Sequence, residues 1–218
     1  MSEFLPDDVI REYRVRAAQF RQEQEDRLPK AMLGSEHMGR CQLLPNRDAL
    51  LSVMPKNGVV AELGVDHGDF SQKILAQCTP KTLHLVDSWA CERYNDSLYQ
   101  AVLKRFAPEI GNGQVAIHRA LSVAAASQFD DASLDWIYID TDHSYKTTRA
   151  ELAAYAAKIR PGGLIAGHDY ALCNFVKWYR YGVIEAVHEF CLNEGWELVY
   201  LTLDHVEKQS FAVRRLEC

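Results

Sequence analysis

The chain has 218 residues, 48% of them hydrophobic and 25% charged, a globular composition that excludes a disordered or fibrous protein. A formal net charge of −6 and a pI near 5.7 leave no global positive field to gather phosphates, and the N-terminal arginines alternate with acids, so no nucleic-acid partner is expected. No apolar run approaches the ~20 residues of a membrane span, and six cysteines with no CxxC pair and no signal peptide ahead of them point to a reducing cytoplasm.

From Asp7 to about Leu33 the chain is rich in Arg, Glu and Gln, with Val9, Ile10, Tyr13, Ala17 and Phe20 at helical spacing. This predicts an amphipathic helix lying on the main body. Gly34, Gly39 and Pro45 punctuate the next stretch, and a short helix is expected over Asp48 to Met54 before Pro55-Lys56-Asn57-Gly58 stops it. Residues 1–57 thus read as a helical arm and 58–218 as the main domain.

From Gly58 onward short apolar runs alternate with helical stretches. Strands are predicted at Val59 to Leu63, Thr82 to Val86, Val115 to His118, Trp136 to Ile139 and Leu164 to Ala166. Helices are predicted at Phe70 to Gln77, Ser97 to Phe106, Val123 to Phe129 and Lys146 to Ile159. That alternation specifies an α/β fold with a parallel sheet. A helix at Val183 to Glu194 and strands at Glu197 to Leu203 and Ser210 to Arg214 complete a doubly wound, Rossmann-like sheet of seven strands, mostly parallel, with an antiparallel last strand expected at its edge.

The strongest local signal is AELGVDHGDFS at 61–71, where a buried strand passes into a helix. Glycines at 64 and 68 allow a sharp turn and close approach of backbone to a ligand. The spacing is neither the G-x-G-x-x-G dinucleotide fingerprint nor a phosphate loop, and Asp66 and Asp69 would repel a pyrophosphate at the helix start. A zwitterionic cofactor with a cationic centre tolerates those acids. At the end of the next strand Asp87 is placed to accept hydrogen bonds from ribose hydroxyls.

With LHLVDSW (83–89), LDWIYIDTDHSY (134–145), IRPGGLIAGHDY (159–170) and YGVIEAVHEF (181–190), the sequence from about Leu33 to Arg214 resembles the class I S-adenosylmethionine-dependent methyltransferases. Within them it is most similar to the branch of metal-dependent sugar and macrolide O-methyltransferases. The resemblance implies that Glu62, Gly64 and Gly68, with Ser71 nearby, hold the amino-acid end of the cofactor, that Asp87 and the adjacent Ser88 hold its ribose, and that Ser122 touches the adenine. It also implies a small hydroxylated acceptor and assembly into a homo-oligomer.

Asp140, Asp142 and His143 end the fourth strand of the repeat, and His168 and Asp169 end the fifth, so these side chains are expected to converge on one crevice beside the cofactor. Methyl transfer needs an oxygen nucleophile aligned with the methyl and relieved of its proton, which a positioned histidine accepts. By resemblance, Asp140, His168 and Asp169 bind Mg²⁺ or Mn²⁺, Asp140 also borders the cofactor, and His143 is the base. Alternatives stay open for each. His168-Asp169 also reads as a hydrogen-bonded pair ending a strand, and His143 as a helix cap. Imidazole favours Mn, Zn or Fe over Mg. For the whole chain the rivals are a metal-independent methyltransferase, a nicotinamide-dependent oxidoreductase and a non-catalytic adenosylmethionine-binding protein.

Overall fold

A computed structural model describes residues 6–174 and 179–216. The N-terminal helix α1 (Asp7–Asp26) stops well before Leu33, because Pro29 cannot continue it and restricts Leu28 before it. Against expectation, none of its residues is buried, and Val9 and Phe20 are 43% and 49% exposed. One tie to the body is at its C-terminal end, where Arg180 Nε donates to Glu25 Oε1 over 2.8 Å.

Parts of the stretch expected in the arm pack against the sheet and core. After α2 (Ser35–Met38), the strand β1 (Gln42–Leu44) pairs in parallel with β9 (Trp196–Thr202). The helix α3 (Arg47–Val53), capped by Asn46 accepting from the Ala49 amide, places Leu50 and Leu51 fully inside the core.

The sequence then winds as predicted through β2 (Val59–Leu63), α4 (Asp69–Cys78), β3 (Thr82–Asp87), α5 (Asp96–Arg105) and, after the short unpredicted helix α6 (Ala107–Gly111), β4 (Val115–Arg119). It continues through α7 (Ser122–Ala125), a 3₁₀ turn at Ala126–Gln128, β5 (Leu134–Ile139), α8 (Tyr145–Ala156) and β6 (Ile159–Gly167). A two-stranded ribbon, β7 (Cys173–Asn174) with β8 (Tyr179–Arg180), precedes α9 (Val183–Glu194), β9 and β10 (Phe211–Arg215).

Eight strands form the main sheet in the order β1-β9-β10-β6-β5-β2-β3-β4. The seven expected strands are joined by β1 at the edge. The antiparallel strand β10, expected to close the sheet edge, lies instead between β6 and β9, antiparallel to both. Helices cover both faces, so the central strands are mostly apolar, with Glu62 of β2 and Asp135 of β5 buried among the apolar residues. All six residues of β5 are buried, Trp136 and Tyr138 in one core and Ile137 and Ile139 in the other. The order reverses between β2 and β5, and ligands of such sheets bind at the carboxyl ends beside that reversal. No helix among the described residues is long and apolar enough to cross a membrane.

Candidate active site

The parallel ladder runs one residue beyond each central strand. Gly64 N donates to Val86 O (2.9 Å), Asp140 N to Leu63 O (2.8 Å) and His168 N to Ile139 O (2.9 Å), which holds the carboxyl ends of β2, β5 and β6 level. There the backbone turns left-handed, at Asp66 (φ 51°), Trp89 (φ 41°), His143 (φ 61°) and Asp169 (φ 55°). Such conformations cost ~1–3 kcal/mol each in non-glycine residues and collect where function needs them. Gly64 (φ 88°) is also confined by contact, since a Cβ there would strike the carbonyl of Asp140.

Two adjoining cavities open over these ends. The larger, about 510 Å³, is lined by Gly64, Asp66, Asp87, Ser88, Tyr94, Leu121, Ser122, Asp140 and Thr141 among others. The smaller, about 210 Å³, is lined by Arg47, Glu62, Asp69, Phe70 and His143, and shares Gly64, Asp66, Tyr94, Asp140 and Thr141 with the first. Of the expected cofactor residues, Gly64, Asp87, Ser88, Ser122 and Asp140 border the larger cavity and Glu62 the smaller. Gly68 and Ser71 stand behind them: Gly68 (φ 80°) is the turn into α4, and the fully buried Ser71 hydroxyl donates to Glu62.

Asp87 serves the loop as well as the cavity. Its Oδ2 accepts from the amides of Val65 (2.9 Å) and Asp66 (3.2 Å) and its Oδ1 from Trp89 N (3.0 Å), which leaves one of about four acceptor positions open to a ligand. Burial pushes the Glu62 carboxyl up to about 8, with the Ser71 hydrogen bond working the other way.

The acids and histidines at the ends of β5 and β6 converge, with one departure. Single ligand atoms of Asp140, His143 and Asp169 all lie within 4.8 Å of one another. His143 Nδ1 is 3.0 Å from Asp169 Oδ2. It is not the helix cap: Ser144 accepts from Thr147 N, and Asp142 accepts from Ser144 N and from the Thr147 hydroxyl. Asp142 is thus engaged at the start of α8 while also bordering the larger cavity, and it stands outside the trio.

His168 lies behind that trio, its Nδ1 3.3 Å from Asp169 Oδ2 and 3.7 Å from Asp140 Oδ2. Burial works against a charge on this ring, while the carboxylates of Asp140 and Asp169 favour one. Arg47 opposes them. Its Nη2 is 2.7 Å from His168 Nε2, and a guanidinium can only donate there, so in this arrangement the ring is neutral with its proton on Nδ1. A ligand that draws Arg47 away frees Nε2 to be protonated. Asp169, although buried, is held below the ordinary carboxylate range by His168 and His143.

Arg47 is the functional residue that sequence reasoning misses. It begins α3, stacks 4.7 Å from the Phe70 ring centre, and pairs with Asp140 (3.4 Å) and Glu207 (3.0 Å). Its Nε is buried without a partner. A lone arginine after Asn46 in a polar stretch carries no local signal of this; only the fold brings it to the strand ends.

Among the aromatic residues between β6 and α9, Tyr181 is buried with its ring edge toward His143 (5.1 Å between centres), and Tyr170 bonds His188 (2.6 Å). Phe175 and Trp178 lie outside the described residues. His37 holds the Trp196 carbonyl (2.7 Å), and His84 pairs with His118 (2.9 Å), away from the site.

A family model described as a methyltransferase domain matches residues 61–170, half of the chain, from the glycine loop to the residue after Asp169. Among solved structures, a Corynebacterium glutamicum protein is 17% identical over 100% of this chain and 94% of its own, with a TM-score of 0.57. An O-methyltransferase family protein from Burkholderia thailandensis is 12% identical, over 77% of this chain and 55% of its own, at TM-score 0.57. The Bradyrhizobium japonicum N-methyltransferase NodS is 15% identical, over 78% and 93%, at TM-score 0.56. At these identities the likeness is one of fold. A comparison with curated proteins returned no match.

Proposed function

Because this chain belongs to the class I S-adenosylmethionine-dependent methyltransferases, we propose that it methylates a hydroxyl oxygen of a small acceptor such as a sugar or natural product, with His143 as general base. The observation that carries this reading is the 3.0 Å contact of His143 Nδ1 with Asp169, next to the seam between the two cavities. A carboxylate on Nδ1 fixes the tautomer and leaves Nε2 as the proton acceptor. The acceptor oxygen bonds to the methyl carbon, the carbon–sulfur bond breaks toward sulfur, and the hydroxyl proton passes to Nε2. The products are a methyl ether and S-adenosylhomocysteine.

The rest of the pocket supports that cofactor. The amino-acid end of adenosylmethionine needs one cationic and one anionic partner, and the smaller cavity offers Arg47 and Glu62. Asp87 retains one acceptor position for a ribose hydroxyl, and Ser122, the residue expected to touch the adenine, lines the larger cavity. Asp140, His143 and Asp169 also fit a divalent ion, because one nitrogen and two carboxylate oxygens come close enough to share it, a set that suits Mn²⁺ better than Mg²⁺. When bound, such an ion supplies charge that holds an acceptor hydroxyl and favours loss of its proton. Arg47 favours the metal-independent version, since its guanidinium already neutralises Asp140 at 3.4 Å.

The test is transfer of labelled methyl to a panel of polyhydroxylated and phenolic acceptors, after chelation and again with added Mn²⁺ or Mg²⁺. His143→Gln is expected to lower kcat by about 10²–10⁴-fold with S-adenosylhomocysteine affinity unchanged. Retention of most of the turnover by that variant would remove His143 as the base, and equal rates in chelator would remove the metal.

A further inference from the structure

The acid at 151 has no part in the chemistry above, yet it is held deep in the protein next to the larger cavity. Glu151, on α8, is fully buried, and no cation among the described residues pairs with it. A carboxylate in that position is costly, and burial pushes it up to about 7. What it has instead of a cation is two hydroxyls: Ser122 Oγ donates to Oε1 over 2.5 Å and Thr141 Oγ1 to Oε2 over 3.0 Å. Both belong to residues that line the larger cavity, one after β4 and the other after β5.

A hydroxyl has a single hydrogen. With both hydrogens directed away from the cavity into one carboxylate, each oxygen presents only lone pairs to whatever lies in front of it. An apolar residue at 151 would leave the hydroxyls free to rotate and to serve as donor or acceptor.

We propose that Glu151 is a positioning residue that sets the nucleobase specificity of the cofactor pocket, by making Ser122 and Thr141 pure acceptors that select a purine bearing an exocyclic 6-amino group. The amine gives an N–H to this wall. A 6-oxo purine turns a carbonyl toward it, lone pair against lone pair, and leaves a desolvated oxygen unpaired. The inference rests on the adenosylmethionine reading of the cavity and adds to it the residue that enforces adenine.

Calorimetric titration of the full chain in alkaline buffer, where Glu151 is ionised, tests it with two ligands: S-adenosylhomocysteine and its 6-oxo counterpart, S-inosylhomocysteine. The wild type is expected to bind the adenosyl ligand about 10- to 100-fold more tightly, the range that one unpaired buried polar group imposes. Glu151→Gln keeps the shape but brings an amide N–H that must donate to one hydroxyl, turning that hydrogen toward the cavity, so the ratio should fall to within a few-fold of unity. Ser122→Ala and Thr141→Val should narrow the ratio too, and they carry the test if Glu151→Gln fails to melt cooperatively. A ratio unchanged in the folded variants, or a wild type that binds both ligands equally, overturns the proposal and leaves the cofactor reading standing. Binding of neither ligand to the wild type overturns both.

Discussion

At the scale of single residues, Gly64 is the most constrained position at the strand ends. Alanine there meets a positive φ and the Asp140 carbonyl together, so Gly64→Ala must push β2 and β5 apart where both cavities meet. Loss of more than about 2 kcal/mol of stability and of S-adenosylhomocysteine binding is expected, read by denaturant melts and titration. Glu62 gives a second prediction. On the proposed reading its ionised form is the partner for a cofactor ammonium; burial holds it protonated up to about 8, so binding would release its proton. Affinity should rise as the pH climbs toward 8, and binding heats at neutral pH should vary with the ionisation enthalpy of the buffer; identical heats in all buffers would count against Glu62 as that partner. These residues were legible in the sequence because strand-end acids and glycines follow from the topology of a parallel sheet. Arg47 and Glu151 were not, since their meaning lies in partners far along the chain: His168 and Asp140 for one, Ser122 for the other.

At the scale of elements, the strands and helices after Gly58 announce themselves by apolar period, and their observed bounds differ from the expected ones mostly at the ends. Short elements were beyond that signal. The β1 strand has three residues, two of them exposed, and each strand of the β7–β8 ribbon has two, too few to establish a period. The α1 helix was legible as a helix but not in its placement, because an apolar stripe does not say what it covers. Among the described residues it is tied by Arg180, which donates to Glu25, to Glu185 (2.5 Å) and to the Leu172 carbonyl (2.9 Å), joining α1, α9 and the ribbon. Arg180→Ala strands two acids and is expected to cost roughly 2–4 kcal/mol. Hydrogen exchange should show early loss of protection in α1 with the central strands unchanged; equal protection in α1 would mean that another contact holds it.

For the whole molecule, two kinds of titratable group, the half-buried His84 and two buried acids, set opposite limits on stability. His84, packed edge-on to Phe129 (5.1 Å), is lowered to about 4 by burial and by the neighbouring His118, so the fold prefers it neutral. Its contribution is complete above the unfolded value near 6.5 and is lost as the pH falls through about 4. Glu151 and Glu62 act in the other direction: their contributions are complete below the unfolded value of 4.5 and are lost as the pH rises through about 7 and about 8. His84→Phe should therefore flatten the fall in Tm between about pH 6.5 and 4 and leave the alkaline side as it was; a parallel shift of the whole curve would show that His84 contributes packing alone. The place of β10 also bears on how the molecule is made. On a ribosome, Gln42–Leu44 emerges early but waits for Tyr200 to Thr202, and that strand in turn reaches the sheet only through Phe211–Arg215. One edge of the nascent sheet, at β6, stays unsealed until β10 has left the exit tunnel, so a pause in synthesis after β9 would leave β6 and β9 both seeking the same absent neighbour, a state in which a holding chaperone has most to offer.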